Sequence, residues 1–249
     1  MQRFANRVAL ITGAASGIGE ATAERLASEG ATVVCADVHS HGVEETAKTL
    51  RERGAEATAV VCDVSDPDSV KATVRETLER YGALHVLCNI AGILKFAHMH
   101  ETRLDDWNRI LSVNLTGTFL MCREAIPHLL ESRGVIVNTA STAALAGHPW
   151  TAAYSASKGG VLSFTYGLAI EYGKQGVRSN AVCPGSVETP IHDAFEVPPG
   201  GDRKLLYRIM PFDKMRGPDA AANAIAFLAS DEAAHINGIG LRVDGGALS

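Results

Sequence analysis

The sequence has no surplus of basic residues and no run of them. Lysine and arginine together number 23 against 28 aspartates and glutamates, which gives a net charge of -5. A mildly acidic chain without a basic patch is a poor candidate for binding nucleic acid or an anionic membrane surface. We therefore expect neither of those partners.

Cysteine is scarce, and long apolar runs are absent. The five cysteines include no CxxC pair, and Cys35, Cys62 and Cys88 each lie in an apolar run that predicts a strand. Free cysteine in such a run acts as a small hydrophobic residue, which indicates a reducing, cytoplasmic compartment and argues against structural zinc. No apolar run approaches the ~20 residues of a membrane helix. The strand predicted from Val8 leaves no room for a signal peptide.

Apolar residues and glycine are plentiful, at 46% of the chain and 24 of 249 residues. Short apolar segments alternate with helical ones along the whole sequence, without a linker or an internal repeat. This alternation is typical of a parallel sheet with helices on both faces. We predict one α/β domain over residues 1–249 with a single doubly wound sheet of about seven strands. Strands are predicted at 8–12, 31–36, 57–62, 84–88, 134–139, 177–183 and 240–243, and helices at 20–29, 42–53, 67–81, 102–132, 154–173 and 218–230.

A glycine-rich turn follows the first predicted strand. Gly13, Gly17 and Gly19 lie between that strand and the first helix. Glycines in this position let backbone N–H groups approach a pyrophosphate, and the helix N-terminus supplies partial positive charge. The turn therefore predicts a dinucleotide site, although its GxxxGxG spacing differs from the commoner GxGxxG.

Asp37 ends the second predicted strand, about 20 residues after the glycine turn. A carboxylate at this point suits the hydroxyl groups of an adenosine ribose and repels the extra phosphate of NADP. Ser16, Val38 and His39 provide no arginine or lysine to offset that repulsion. We therefore predict NAD rather than NADP.

Tyr154 and Lys158 are four residues apart and share one face of a predicted helix. A lysine cation ~4–5 Å from a phenol lowers the phenol's pKa by roughly 2–3 at an effective dielectric of ~20. Such a tyrosine takes a proton from an alcohol or gives one to a ketone. The spacing alone is equally compatible with a packed ring beside a solvated amine.

Eight segments together resemble the short-chain dehydrogenase/reductase family over essentially the whole chain. The main departure is Ile90, where the family most often has a second asparagine. The segments are Thr12-Gly-Ala-Ala-Ser-Gly-Ile-Gly19, Asp63-Val64, Asn89-Ile-Ala-Gly92, Asn114, Ser141, Tyr154-Ser-Ala-Ser-Lys158, Pro184-Gly185 with Thr189, and Val243-Asp-Gly-Gly246. The resemblance implies a three-layer Rossmann fold, a homotetramer and no metal.

The resemblance assigns catalytic roles to four residues. Tyr154 is the expected acid/base, and Ser141 is expected to hydrogen-bond the reacting oxygen. Lys158 would bind the nicotinamide ribose and lower the pKa of Tyr154, and Asn114 would hold a water that relays protons from Lys158. The alternatives are a loop serine that caps nearby backbone and an asparagine that only packs its helix.

The resemblance also implies a set of cofactor-binding residues. Asp63 and Val64 would flank the adenine, and Ile18 would cover the pyrophosphate. Asn89 and Gly92 would line the adenosine-side ribose and hold the neighbouring strand. Thr189 would meet the carboxamide or phosphate region. The full set is Gly13, Ser16, Gly17, Ile18, Gly19, Asp37, Asp63, Val64, Asn89, Ala91, Gly92, Tyr154, Lys158, Pro184, Gly185, Val187 and Thr189.

The resulting hypothesis is reversible, NAD(H)-dependent hydride transfer between a secondary alcohol and its ketone. One alternative is an NADPH-type 3-oxoacyl reductase, and another is a sensor or scaffold that binds NAD(H) without turnover. The candidate substrate residues are Ala143, Leu145, His148, Trp150, Phe195 and Leu206, with Phe96, Ile191 and Tyr207 as further possibilities. Because this set is largely apolar, we favour an apolar or alicyclic alcohol.

An irregular insertion at about 186–217 interrupts the pattern after the sixth strand. Its prolines and glycines at 198–201 predict a bend, and residues 202–210 predict a short helix. Irregular segments of this length in compact domains are usually lids or binding loops. We predict a lid that closes on cofactor and substrate.

Overall fold

Seven parallel strands form the centre of the computed structural model, which describes residues 2–191, 196–212 and 214–249. The strand order is β3-β2-β1-β4-β5-β6-β7, and every neighbouring pair is parallel. The predicted seven-stranded doubly wound sheet is therefore confirmed. The strands are β1 Val8–Thr12, β2 Thr32–Asp37, β3 Ala57–Val61, β4 Val86–Asn89, β5 Val135–Thr139, β6 Arg178–Pro184 and β7 Gly240–Val243.

Helices cover both faces because successive strand residues point to opposite sides. In β1, Ala9 and Ile11 pack on the face with α1, α2 and α7, whereas Leu10 packs on the face with α3, α5 and α6. All three side chains are fully buried. The helices are α1 Gly17–Ser28, α2 Ser40–Glu52, α3 Pro67–Tyr81, α4 Leu104–Leu111, α5 Gly117–Ser132, α6 Ala152–Tyr172 and α7 Asp219–Ala229.

The segment predicted as one helix over 102–132 is divided in the structure. A π-helical turn, Ser112–Thr116, separates α4 from α5. The division does not fall at Pro127, which lies within α5. The irregular turn instead contains Asn114, whose carboxamide accepts a hydrogen bond from Ile93 N (2.8 Å) and donates one to Ile93 O (2.9 Å). Single π turns of this kind are frequent at functional sites.

The insertion after β6 is anchored at its base. Val187 pairs with Arg216 in an isolated parallel bridge, and Glu188 N donates to Arg216 O at 2.9 Å. The short helix predicted over 202–210 is a 3₁₀ helix, Arg203–Ile209, capped by Asp202. Phe195, one of the candidate substrate residues, lies outside the described residues.

No helix in the described ranges is long and apolar enough to cross a membrane. All five cysteines are buried and free.

Candidate active site

A cleft of about 300 Å³ opens at the carboxyl ends of the central strands, beside the point where the strand order reverses between β1 and β4. Open α/β sheets bind their ligands at this point. All but one of the predicted cofactor residues line the cleft. They are Gly13, Ser16, Gly17, Ile18, Gly19, Asp37, Asp63, Val64, Ala91, Gly92, Tyr154, Lys158, Pro184, Gly185, Val187 and Thr189.

The turn after β1 is built so that only glycine fits. Gly13 has a φ of +73°, and a Cβ there would lie 2.8 Å from Ala91 N. Ser16, the N-cap of α1, makes no side-chain capping bond. The first N–H groups of α1 are therefore available to an anion, which fits the pyrophosphate of a dinucleotide.

Asp37 is held rigidly at the end of β2. Its carboxylate accepts hydrogen bonds from Ala15 N (3.1 Å) and His39 N (3.0 Å). These bonds leave free lone pairs on both oxygens, so the carboxylate can still accept from ribose hydroxyls. The same negative charge opposes a phosphate at this position.

Asp63 begins a polar chain on another wall of the cleft. Its Oδ1 accepts from Ser65 Oγ (2.6 Å) and Ser65 N (2.9 Å), and the bond from the hydroxyl is the main cause that lowers the pKa of Asp63. Arg109, on α4, donates to Ser65 Oγ at 2.9 Å and also lines the cleft. Sequence reasoning missed Arg109, since only the packing of α4 brings it beside Asp63.

The structure brings Ser141, Tyr154 and Lys158 together. The hydroxyl of Ser141 lies near the phenol of Tyr154 and acts to lower the pKa of that phenol. Ser141 Oγ also accepts a hydrogen bond from Ala143 N at 3.1 Å, so this serine caps nearby backbone. The capping bond and the expected contact with the reacting oxygen are therefore compatible. Lys158 Nζ donates to Thr139 O at 2.6 Å and lies 5.8 Å from the centre of the Tyr154 ring.

Burial dominates the ionisation of this pair. It raises the pKa of Tyr154 above its ordinary value, and the hydrogen bond with Ser141 offsets only part of that effect. Burial also lowers the pKa of Lys158 to about 8. That Lys158 lowers the pKa of Tyr154 stays a prediction, and burial of the phenol acts in the opposite direction.

Asn114 lies beside Lys158 and is fully buried. A Cβ on Gly92 would lie 3.3 Å from Lys158 Nζ and 3.4 Å from Asn114 Oδ1, so the absence of a side chain there leaves room for both. Asn114 Nδ2 also donates to Ser157 Oγ at 3.0 Å, on the same helix as Lys158. The proton-relay role of Asn114 stays a prediction.

Asn89 is the one predicted cofactor residue that does not line the cleft. Its Nδ2 donates to Asn138 Oδ1 (2.9 Å) and Cys122 Sγ (3.2 Å), inside the protein. The side chain turns inward and links β4 to β5, which agrees with its expected hold on the neighbouring strand. Its contact with the ribose stays a prediction.

The described candidate substrate residues do not line the cleft either. Ala143 is buried, Leu145 is exposed, and His148 and Leu206 are half-buried. His148 Nε2 is buried without a hydrogen-bond partner, and burial lowers the pKa of the imidazole. Ile191, by contrast, does line the cleft.

Trp150 has an unusual backbone, with a φ of +60°. This conformation costs a non-glycine residue about 1–3 kcal/mol, which surrounding contacts must offset. Trp150 O accepts from Ala97 N at 2.9 Å, and the indole contacts the backbone at Gly201.

No group of three or more His, Cys, Asp or Glu residues in the described part of the chain could hold a metal ion. The polar groups of the cleft include the glycine-turn amides, two carboxylates, Arg109 and the Ser141–Tyr154–Lys158 cluster.

Comparison with known proteins places this geometry in a family. A family model described as "Enoyl-(Acyl carrier protein) reductase" matches residues 13–247. The chain is 41% identical to meso-2,3-butanediol dehydrogenase of Serratia marcescens, over 98% of this chain and 96% of that protein. It is 40% identical to cis-4-hydroxycyclohexanecarboxylate dehydrogenase of Sinomonas cyclohexanicum, over 98% of each.

A solved structure also matches the fold of this chain. The structure of 3-ketoacyl-(acyl-carrier-protein) reductase from Brucella melitensis, complexed with NADH, matches with a TM-score of 0.89 and 38% identity. The match covers 98% of this chain and 99% of that one. The chain belongs to the short-chain dehydrogenase/reductase family of oxidoreductases.

Proposed function

We propose that this oxidoreductase interconverts a secondary alcohol and its ketone with NAD(H), on a compact apolar or alicyclic substrate. The observation that carries the proposal is that Ser141, Tyr154 and the buried Lys158 line the same cleft as the glycine turn and Asp37. Two relatives also support the proposed substrate class, because their names specify a butanediol and a hydroxycyclohexanecarboxylate as substrates of a dehydrogenase.

A bound nicotinamide ring would supply the hydride acceptor or donor. Ser141 would hydrogen-bond the substrate oxygen and hold it beside Tyr154. In alcohol oxidation, the phenolate of Tyr154 takes the hydroxyl proton; in ketone reduction, the phenol returns it. Lys158 donates to Thr139 O, which holds its ammonium beneath the ring, where its positive charge favours the phenolate.

NAD is the proposed cofactor, since Asp37 is fixed by two backbone N–H groups where a ribose phosphate would be repelled. We further propose that Asn114 supports the proton relay and that the other cleft residues predicted from the sequence contact the cofactor. The chain would act as one cytoplasmic domain, and the insertion at about 186–217 would act as a lid.

A 3-oxoacyl reductase is the second candidate, because one solved structure that matches the chain is a 3-ketoacyl-(acyl-carrier-protein) reductase. Arg109 adds a cation to the cleft that this alternative, in its NADPH form, would use. Turnover of a 3-oxoacyl thioester with NADPH at a higher kcat/KM than any alcohol with NAD would favour it.

The test is a panel of diols, cyclohexanols and linear secondary alcohols followed by NADH absorbance. Tyr154→Phe should lower kcat by about 10²–10⁴ and leave the Kd of NADH nearly unchanged, because it removes only the titrating hydroxyl. Tyr172→Phe, at the far end of the same helix and outside the cleft, is the matched control. A binder without catalysis would show NADH binding and no turnover across the panel.

A further inference from the structure

The carboxamide of Asn114 links three parts of the structure. Asn114 lies in the π turn between α4 and α5 and is fully buried. Its Oδ1 accepts a hydrogen bond from Ile93 N (2.8 Å), and its Nδ2 donates to Ile93 O (2.9 Å), in the loop after β4. Nδ2 also donates to Ser157 Oγ (3.0 Å), on α6. Both N–H donors of the amide are therefore used, and removal of either partner leaves a buried N–H unpaired.

Ser157 lies between the catalytic residues in the sequence but outside the cleft. It directly precedes Lys158, is fully buried and does not line the cleft. Its hydroxyl donates to Tyr154 O at 2.7 Å. Because that hydroxyl has a single proton, Oγ can only accept from Asn114 Nδ2. The direction of both hydrogen bonds is thus fixed, and the serine holds the carboxamide of Asn114 in one orientation.

This orientation places the amide oxygen of Asn114 beside Lys158. A Cβ on Gly92 would lie 3.3 Å from Lys158 Nζ and 3.4 Å from Asn114 Oδ1, so the two atoms border the same small space. The partial negative charge of Oδ1 favours the ammonium form of Lys158. The ammonium in turn favours the phenolate of Tyr154, because opposite charges attract.

The titratable groups that face Lys158 are Tyr154 on the same helix and Cys183 on β6. Burial raises the pKa of the Cys183 thiol to about 11, so the thiol stays neutral near neutral pH. The variants considered below retain every other titratable side chain of the cleft, so these groups cannot cause a difference between those variants. They are Asp37, His39, Asp63 and Arg109.

Thr165 forms the same pattern of hydrogen bonds about two turns further along α6. Its hydroxyl donates to Val161 O at 2.8 Å and accepts from Asn138 Nδ2 at 2.9 Å. Thr165 and Asn138 are fully buried, and neither lines the cleft. Ser157 and Thr165 are thus a matched pair of buried hydroxyls, of which only Ser157 binds a residue beside Lys158.

We propose that Ser157 is a positioning residue for proton transfer. Its hydroxyl fixes the carboxamide of Asn114 so that the amide oxygen favours the ammonium form of Lys158. Ser157 lies outside the cleft and acts through Asn114. The inference rests on the proposed alcohol dehydrogenase function, and it adds a residue that determines the pH range in which that function operates.

Steady-state kinetics of Ser157→Ala test the inference. Loss of the hydroxyl frees one edge of the carboxamide, so kcat for the best alcohol of the panel should fall about tenfold or more. The acidic limb of the pH profile of kcat should move to higher pH, because Lys158 then favours the phenolate less. The KM for NAD should stay within about twofold of the wild type. Ser157→Thr, which keeps the hydroxyl, should restore the wild-type profile.

Thr165→Val is the matched control, because it also removes one buried hydroxyl from α6 and leaves one amide N–H unpaired. Both variants should lower the melting temperature by a similar amount, but Thr165→Val should keep the wild-type kcat and pH profile. Equal losses of kcat in the two variants overturn the proposal, and so does a wild-type pH profile in Ser157→Ala. If Ser157→Ala does not fold, Ser157→Cys decides the same outcomes, because a thiol accepts hydrogen bonds only weakly.

A titration that needs no turnover separates failure of the inference from failure of the proposed function. The ultraviolet absorbance of each protein minus that of its Tyr154→Phe derivative reports the ionisation of Tyr154 among the five tyrosines. Ser157→Ala should raise the apparent pKa of Tyr154 relative to the wild type, and Thr165→Val should not. If no alcohol or ketone is turned over, the proposed function fails and this comparison alone decides the inference. An equal Tyr154 pKa in the wild type and Ser157→Ala overturns the inference with or without turnover.

Discussion

Asp37 shows how one side chain selects a cofactor. Two backbone N–H bonds hold its carboxylate at the end of β2, so it cannot easily turn away from a phosphate. We expect the wild type to use NAD with a kcat/KM about tenfold or more above that for NADP. Asp37→Ala should reduce this ratio of the two kcat/KM values. Steady-state kinetics at equal cofactor concentrations measure this. Asp66→Ala, which removes an acid that caps α3 outside the cleft, should leave the ratio unaltered. Equal use of both cofactors by the wild type would contradict the prediction.

Lys158 makes stability depend on pH. Its pKa is about 8 in the folded protein against an ordinary 10.5. Below pH 8 both states carry the cation, and its burial is unfavourable. Between about pH 8 and 10 the folded state loses the proton while the unfolded state keeps it, so the free energy of unfolding rises with pH.

Lys158→Met should lack that rise. The wild type minus variant difference in unfolding free energy should therefore grow by roughly 2–3 kcal/mol from pH 7 to pH 10. Urea denaturation at one fixed protein concentration measures it. Because other titrating groups are common to both proteins, a difference independent of pH would show that Lys158 is not buried as a cation.

At the scale of elements, the two ends of the insertion are fixed to each other, whereas its middle has few buried contacts. The Val187–Arg216 bridge anchors its ends, and the His98–Pro199 hydrogen bond holds the bend. The 3₁₀ helix Arg203–Ile209 has mostly exposed side chains, with only Ile209 buried. Segments with few buried contacts open at low free energy.

The lid prediction is therefore tested by hydrogen exchange with and without NADH. Protection should increase in 186–191 and 196–212 when the cofactor binds, since closure excludes water from the site. The β1 strand is an internal reference and should exchange slowly in both states. Exchange in the insertion that is already slow without NADH and does not change would exclude a closing lid.

At the scale of the whole molecule, α5 and α6 leave apolar side chains in solvent. Ile170 is 86% exposed, Phe119 42% and Tyr166 40%. Phe119 and Phe164 join the two helices edge to face at 6.4 Å. A helix that packs its sheet side and still exposes large apolar residues needs a second buried contact.

We expect a homotetramer in which copies of α5 and α6 pack together. Ile170→Glu should shift the mass measured by light scattering at micromolar concentration toward smaller species. Tyr207→Glu, at an equally exposed position on the insertion, should not. A monomeric mass for the wild type would refute the prediction. A dimeric mass would show that only one interface between copies forms.

The amino-acid sequence by itself determined the features that depend on neighbours in the chain. Apolar runs placed the strands within one or two residues, as for 240–243, and the helix predicted at 67–81 has the bounds of α3. The glycine turn and the i, i+4 spacing of Tyr154 and Lys158 predicted a cleft site because both follow from local backbone geometry.

The tertiary structure alone decided the features that depend on burial or on distant segments. Asn89 turns inward to Asn138, 49 residues away, and Arg109 reaches Ser65 across 44 residues. Burial raises the pKa of Tyr154, and local spacing carries no information about desolvation. The positive φ of Trp150 depends on contacts with Ala97 and Gly201, which only the packed loops bring together.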